Sequence, residues 1–253
     1  MGDLITDALL WALQDQGVQI ALQNGGGIRA SIPAGEVTVG QVLEVLPFGN
    51  TVATFSLKGS DLLAVLENSV SRAENPENEG TGRFLQVAGL RYVWDPTQPE
   101  GQRIVSVEVR NADGTYSPLD PEAVYKVAAN NYIRNGGDGY SVLKDNAIDP
   151  YDFGPLLADV VMDYIKANSP VEAQIEGRIT QGQAPTPTPE ATATPEPTAT
   201  PKPQPTATPE PPTPTAQPTP APAAEASGWA WIWVLSVLAV FVGGLAVALT
   251  RKA

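Results

Sequence analysis

The sequence predicts an α+β domain, built as a mixed sheet with flanking helices. A disordered Pro/Thr-rich stalk and one transmembrane helix are expected to follow it. Three observations carry this reading. Up to about Thr180, helical and strand periodicities interleave without a regular strand–helix repeat, and the turn residues at Asn111 to Gly114 indicate at least one hairpin. From Gln181 to Ala226 the chain is almost entirely Pro, Thr, Ala, Gln and Glu. From Trp229 to Leu249 it is apolar and uncharged. The expected boundaries are therefore 1–180, 181–226 and 227–253.

The elements of the first region follow in order. Leu4, Ile5, Ala8, Leu9 and Ala12 share one helical face. Val18 to Leu22 reads as a short strand ending in a glycine loop. A short helix is expected over Thr38 to Val45 and a strand over Asn50 to Leu57. A second helix runs from Gly59 to about Arg72, with Ser60 or Asp61 as the expected N-cap. Phe84 to Trp94 and Arg103 to Arg110 read as strands, as does Val124 to Ala129. Pro155 to Ala167 reads as a helix with Pro155 in its first turn, and Ile175 to Ile179 as a last strand.

Composition excludes several function classes. The net charge of −13 disfavours nucleic acid as a partner, because an acidic surface repels a phosphate backbone. The chain has no Cys and no His, which removes disulfides, thiol nucleophiles, histidine bases and histidine metal ligands. Absence of Cys in an exported protein favours a prokaryotic surface.

Trp229, Trp231 and Trp233 cluster at one end of the apolar segment, and Arg251 and Lys252 follow the other. A bilayer core takes about 20 apolar residues, tryptophans favour the interface, and basic residues favour the cytoplasmic side. The expectation is a single-pass protein of the cell membrane, with the globular domain extracellular and the C-terminus cytoplasmic. A buried core helix is one alternative. Another is a removable lipid-anchor signal at the small residues Ala226, Ser227 and Gly228. Because the pattern of the first helix starts directly at Met1, with no signal peptide before it, the chain is expected to begin within a longer protein.

Three loops carry candidate chemistry. In Asn24-Gly25-Gly26-Gly27-Ile28-Arg29 the glycines allow close backbone approach to an anion, and Arg29 can grip phosphate or carboxylate. The spacing is neither a Walker loop nor the dinucleotide fingerprint. Taken alone, the run is equally a turn bearing a surface arginine. In Leu46-Pro47-Phe48-Gly49-Asn50 the phenylalanine is badly placed for a core and free to stack on a flat ring, or to anchor its loop. Asn131-Tyr132-Ile133-Arg134-Asn135-Gly136-Gly137-Asp138-Gly139-Tyr140 joins an aromatic ring, a flexible turn and a carboxylate. One aspartate without regular spacing is a weak calcium signal.

In their order along the chain, and with the strand Phe84-Leu85-Gln86-Val87-Ala88-Gly89-Leu90-Arg91-Tyr92 between them, these motifs resemble the C-terminal domain of the 5'-nucleotidase family. That family includes ecto-5'-nucleotidases and bacterial UDP-sugar hydrolases. The opening Met1-Gly2-Asp3-Leu4-Ile5-Thr6-Asp7-Ala8 is similar to the helix that begins this domain. The resemblance covers residues 1 to about 180.

The resemblance implies a nucleotide or nucleoside ligand. It places Arg29 against phosphate and Asn24 near the ribose, beside Gly26 and Gly27 of the glycine loop. Phe48 and Tyr132 become the two sides of an aromatic clamp on the base, Tyr132 standing where relatives often have Phe. Asn50 would meet the base edge. Asp138, in the turn with Asn135, Gly136 and Gly137, would accept hydrogen bonds from ribose hydroxyls. The chemistry agrees, since stacking contributes about 1–3 kcal/mol per base and a carboxylate suits a diol.

Two departures matter. A further phosphate-binding arginine, which relatives carry just upstream of the residue matching Met1, is absent. So is the family's metallophosphatase domain, where His, Asp and Asn hold two divalent metal ions. No cofactor is expected in this chain itself, and the ions are implied for a catalytic domain encoded upstream. The expected function is nucleotide recognition within a cell-surface 5'-nucleotidase-type hydrolase, with this chain inactive alone. The alternative is a stand-alone, non-catalytic nucleotide-binding or adhesive surface module.

Overall fold

The computed structural model of the chain describes residues 1–73, 80–172 and 174–183. The chain divides into two units, Met1–Thr192 and Ala193–Ala253. The second lies outside the described residues, as do the expected stalk from residue 184 onward and the apolar segment.

The described part is a mixed α+β fold with two mixed sheets. The larger sheet has the order β3-β1-β7-β2-β8. Its strands are β1 (Ile20–Asn24), β2 (Val52–Lys58), β3 (Leu85–Ala88), β7 (Val124–Asn130) and β8 (Ile148–Tyr151). β1 and β7 are parallel, while β3 and β2 run antiparallel to them. The smaller sheet has the order β6-β5-β4-β9, from β4 (Leu90–Trp94), β5 (Ile104–Arg110), β6 (Tyr116–Pro118) and β9 (Ile179–Gln181).

Side-chain alternation along the larger sheet creates two cores. Ile20, Leu22, Phe55, Leu57, Val127 and Ala129 face one side, against α3 (Gly59–Val70) and the smaller sheet. Ala21, Ala88 and Ala128 face the other, toward α1 (Gly2–Ala12) and α7 (Leu157–Asn168). The three alanines stand in register across β1, β3 and β7. That row of small residues lets the helices approach the sheet closely, and a larger side chain there would overpack the layer. The short helix α2 (Val39–Val45) closes the same side. It opens with a capping box: the Gln41 N–H donates to Thr38 Oγ1 at 3.3 Å, and the Thr38 N–H donates to Gln41 Oε1 at 2.8 Å.

Several sequence expectations change. The single strand expected over Phe84 to Trp94 is two strands in different sheets. Gly89, at φ 77°, turns the chain between them, and a side chain there would run into the Gln19 carbonyl. The buried residues of α1 are Ile5, Thr6, Ala8 and Leu9, joined by Leu13 just past its end, while Leu4 is half-buried and Ala12 is exposed. α3 starts behind Lys58 with no side-chain cap from Ser60 or Asp61. Pro155 precedes α7, and its carbonyl accepts from the Val52 N–H at 2.9 Å. The last strand is Ile179–Gln181, while Ile175 is fully exposed.

The expected single-pass location in a cell membrane is corrected. No helix among the described residues is long and apolar enough to cross a membrane. The longest, α3 and α7, have 12 residues each, which is about 18 Å against a hydrocarbon core of about 30 Å. Trp229 to Leu249, the basis of that expectation, lies outside the described residues.

Candidate functional site

The three candidate loops meet at one end of the larger sheet because of its strand directions. β1 and β7 are parallel, so the chain leaves both at the same end. β2 is antiparallel to β7 and enters there, with Val52 opposite Asn130. The carboxyl ends of neighbouring parallel strands are a common place for ligands to bind, because loops diverge from them and leave a crevice.

Buried amides orient the site from below. Gln23, Asn24 and Asn130 are 0%, 2% and 0% exposed. Asn130 Nδ2 donates to Asn24 Oδ1 at 2.9 Å and to Gln23 Oε1 at 3.0 Å. Asn130 Oδ1 accepts from the Ile133 N–H at 3.0 Å and caps α5 (Asn131–Arg134). With its oxygen held this way, the Asn24 amide must present its amino end upward. There Asn24 Nδ2 donates to Asp138 Oδ2 at 2.6 Å.

Asp138 is the centre of this hydrogen-bonded cluster. Its other oxygen, Oδ1, accepts from the Tyr132 hydroxyl at 2.9 Å. Its backbone is left-handed at φ 54°, between Gly136 at φ 93° and Gly139 at φ 81°. For a non-glycine residue that conformation costs about 1 kcal/mol or more, so the surroundings must impose it. The Tyr132 ring lies over Gly137, where an added Cβ would sit 2.5 Å from the ring carbon Cζ. Only glycine leaves room for the ring there, and the ring stays 47% exposed.

The Phe48 loop joins this cluster through backbone contacts. The Asn131 N–H donates to the Thr51 carbonyl at 2.9 Å, and the Thr51 N–H returns a bond to Asn131 Oδ1 at 3.1 Å. Phe48 is 60% exposed. Phe48, Asn50 and Gly27 line a cavity of about 310 Å³ with Leu43, Leu156 and Asp159. The Asn50 carbonyl accepts from the Leu157 N–H at 2.8 Å, so the loop also seats the start of α7. A larger groove of about 1720 Å³ runs along α1 and α7 and contains none of the expected site residues.

The glycine turn is arranged differently from a free anion loop. Gly25 donates its N–H to the Phe84 carbonyl at 2.8 Å, and Ile28 donates its own to the Gly25 carbonyl at 3.0 Å. The carbonyl of Thr81, in α4 (Gly80–Arg83), occupies the space a Gly25 side chain would need. Arg29 is exposed, and its Nη1 touches the Gly26 carbonyl at a long 3.4 Å. Asn135 is exposed and bonds back to the Asn131 carbonyl at 2.8 Å. The structure therefore groups Asn24, Tyr132, Gly136, Gly137 and Asp138 tightly, ties the Phe48–Asn50 loop to them through Thr51 and Asn131, and leaves Arg29 exposed beyond the glycine turn.

Sequence reasoning missed Gln23 and Asn130, whose burial no motif signals. It named Tyr140 in the third loop but gave it no role; the Tyr140 hydroxyl donates to the Arg83 carbonyl. Burial pushes the Tyr140 hydroxyl well above its ordinary value.

The family is settled by comparison. A family model described as the 5'-nucleotidase C-terminal domain matches residues 1–145. The chain belongs to the 5'-nucleotidase family. Among solved structures, a 5'-nucleotidase precursor from Thermus thermophilus is 55% identical with a TM-score of 0.68, over 73% of this chain and 35% of that one. An apyrase from Tabanus yao is 41% identical over 64% of this chain and 29% of its own length. The 5'-nucleotidase of Homo sapiens is 37% identical over 69% of this chain and 30% of its own. The chain thus spans about a third of the length of these relatives.

Proposed function

We propose that residues 1 to about 180 are the nucleotide-recognition domain of a 5'-nucleotidase-type hydrolase. The observation that carries this reading is the Asp138 carboxylate, held on both oxygens by Asn24 and the exposed Tyr132, on a loop tied by the Thr51–Asn131 bonds to the loop of the exposed Phe48. A ribose diol suits the carboxylate, and a base suits Phe48 and Tyr132. Arg29, exposed beyond the glycine turn, is the group for a phosphate.

Ester hydrolysis belongs, in this proposal, to a metallophosphatase domain of the intact enzyme. A pair of divalent metals does not fit the residues present. The sequence holds no His or Cys, and among the described residues no three Asp or Glu come together as a ligand group. Arg29 and the aromatic pair position substrate, and positioning contributes to rate only once a reacting group is supplied.

Titration calorimetry of the chain with adenosine and AMP tests the proposal. Binding that falls on Phe48→Ala and again on Tyr132→Ala is the expected result. Absence of binding heat would overturn the reading. Phosphate release from AMP that survives both metal chelation and Arg29→Ala would overturn the division of labour.

A further inference from the structure

We propose that Asn68, on α3, is a positioning residue that sets the Asp138 carboxylate for a ribose cis-diol, an inference that rests on Asp138 being the diol acceptor. Asn68 belongs to no motif of the site. Its side chain lies behind the 136–139 turn, and Nδ2 donates to the main-chain carbonyl of Asp138 at 3.3 Å.

The orientation of that amide is fixed from the far side. Asn68 Oδ1 accepts from Arg83 Nη1 at 3.3 Å. The same Arg83 Nη1 donates to Ser71 Oγ at 3.2 Å, and Ser71 Oγ donates to the Asn68 carbonyl at 2.7 Å. An amide has one accepting end and one donating end. With a guanidinium facing the oxygen, the amino end must face Asp138. A flipped amide would set amino group against guanidinium and oxygen against carbonyl.

The base of this brace is rigid, since Leu62, Val65 and Leu66 of α3 are fully buried in the core. Asp138 needs such a brace. Gly136 and Gly139 adopt positive φ freely, and an aspartate does not. With its carbonyl tied back to α3, Asp138 sends its carboxylate the other way, to Asn24 and Tyr132. One donor from the chain on each oxygen leaves each a lone pair, matching the paired hydroxyls of a cis-diol. Without Asn68 the turn relaxes and the carboxylate loses its aim, while the aromatic surfaces stay in place.

The test compares adenosine with 2',3'-dideoxyadenosine by titration calorimetry on the full chain, in wild type, Asn68→Ala and Arg83→Lys. Wild type is expected to prefer adenosine. Asn68→Ala is expected to weaken adenosine about tenfold and the dideoxy ligand less than about twofold. Arg83→Lys, which keeps the charge but loosens the amide, should give a smaller loss with the same selectivity. On an Asp138→Ala background, Asn68→Ala should cost no further adenosine affinity. Equal loss of both ligands would show Asn68 to be merely structural and overturn the inference. If Asn68→Ala does not fold, the Arg83→Lys ratio decides by the same criterion. A wild type indifferent to the diol would instead overturn the reading of Asp138 itself.

Discussion

Asn24 and Asp138, 114 residues apart in sequence, share a 2.6 Å hydrogen bond that closes the end of β1 onto the turn after α5. Asn24 can donate because Asn130 already occupies its oxygen. The carboxylate at the surface is thereby wired to two buried strands. Asn24→Ala removes the donor and leaves an Asn130 amino hydrogen without its acceptor. The expected cost is about 2 kcal/mol of folding stability, read from urea unfolding, with weakened adenosine binding. Asn24→Asp, which opposes two carboxylates, should weaken adenosine more than Asn24→Ala does.

Gly137→Ala places a methyl group against the Tyr132 ring. The ring sits at the surface and has somewhere to go, so the expected result is displacement with a stability loss near the low end of the about 1–3 kcal/mol typical of overpacking. Base binding should fall about tenfold or more as one stacking face leaves its place. Thermal melting and calorimetry on the same sample separate the two effects.

Phe48→Ala makes the opposite pairing of outcomes. The side chain is mostly exposed, so melting should move little, within about 0.5 kcal/mol. Adenosine affinity should fall by an amount equivalent to about 1–3 kcal/mol, the usual worth of one stacked base. Unchanged affinity would remove Phe48 from the site.

Alkaline pH should destabilise the domain. Desolvation pushes the hydroxyls of Tyr92 and Tyr140 above their ordinary value, and the Tyr92 hydroxyl lies beside Ser69 without a well-formed hydrogen bond. The folded state keeps protons that the unfolded chain gives up. This stabilisation is therefore complete below about pH 10 and drains away as pH rises through the folded-state values. Urea midpoints taken from pH 8 to about pH 11 should decline above about pH 10. Tyr140→Phe should flatten that decline, and a slope unchanged in both Tyr140→Phe and Tyr92→Phe would refute the assignment.

Much of the fold was legible because its signals are local. The short helix expected over Thr38 to Val45 is α2, which spans Val39–Val45 with Thr38 as its N-cap. Leu62, Val65, Leu66, Ser69 and Val70 recur at helical spacing and form the buried face of α3. The turn at Asn111 to Gly114 does join β5 to β6. Errors came where a local pattern had two outcomes. Phe84 to Trp94 reads as one strand, and the strand pairings and the positive φ of Gly89 show that it bends into a second sheet. Helix α6 (Ser141–Asn146) and edge strand β8 were too short, or too polar, to announce themselves.

By itself, then, the sequence determined the α+β class, the family and the three loops to compare. Periodicity, caps and motif order are properties of neighbours along the chain. The tertiary structure decided which of those residues act together. Parallel pairing of β1 with β7 brings Asn24 and Asp138 into contact, and burial of Gln23 and Asn130 turns the Asn24 amide toward the carboxylate. A hydrogen bond across 114 residues depends on strand order and on which polar atoms are already engaged, and neither is written in any short stretch of chain.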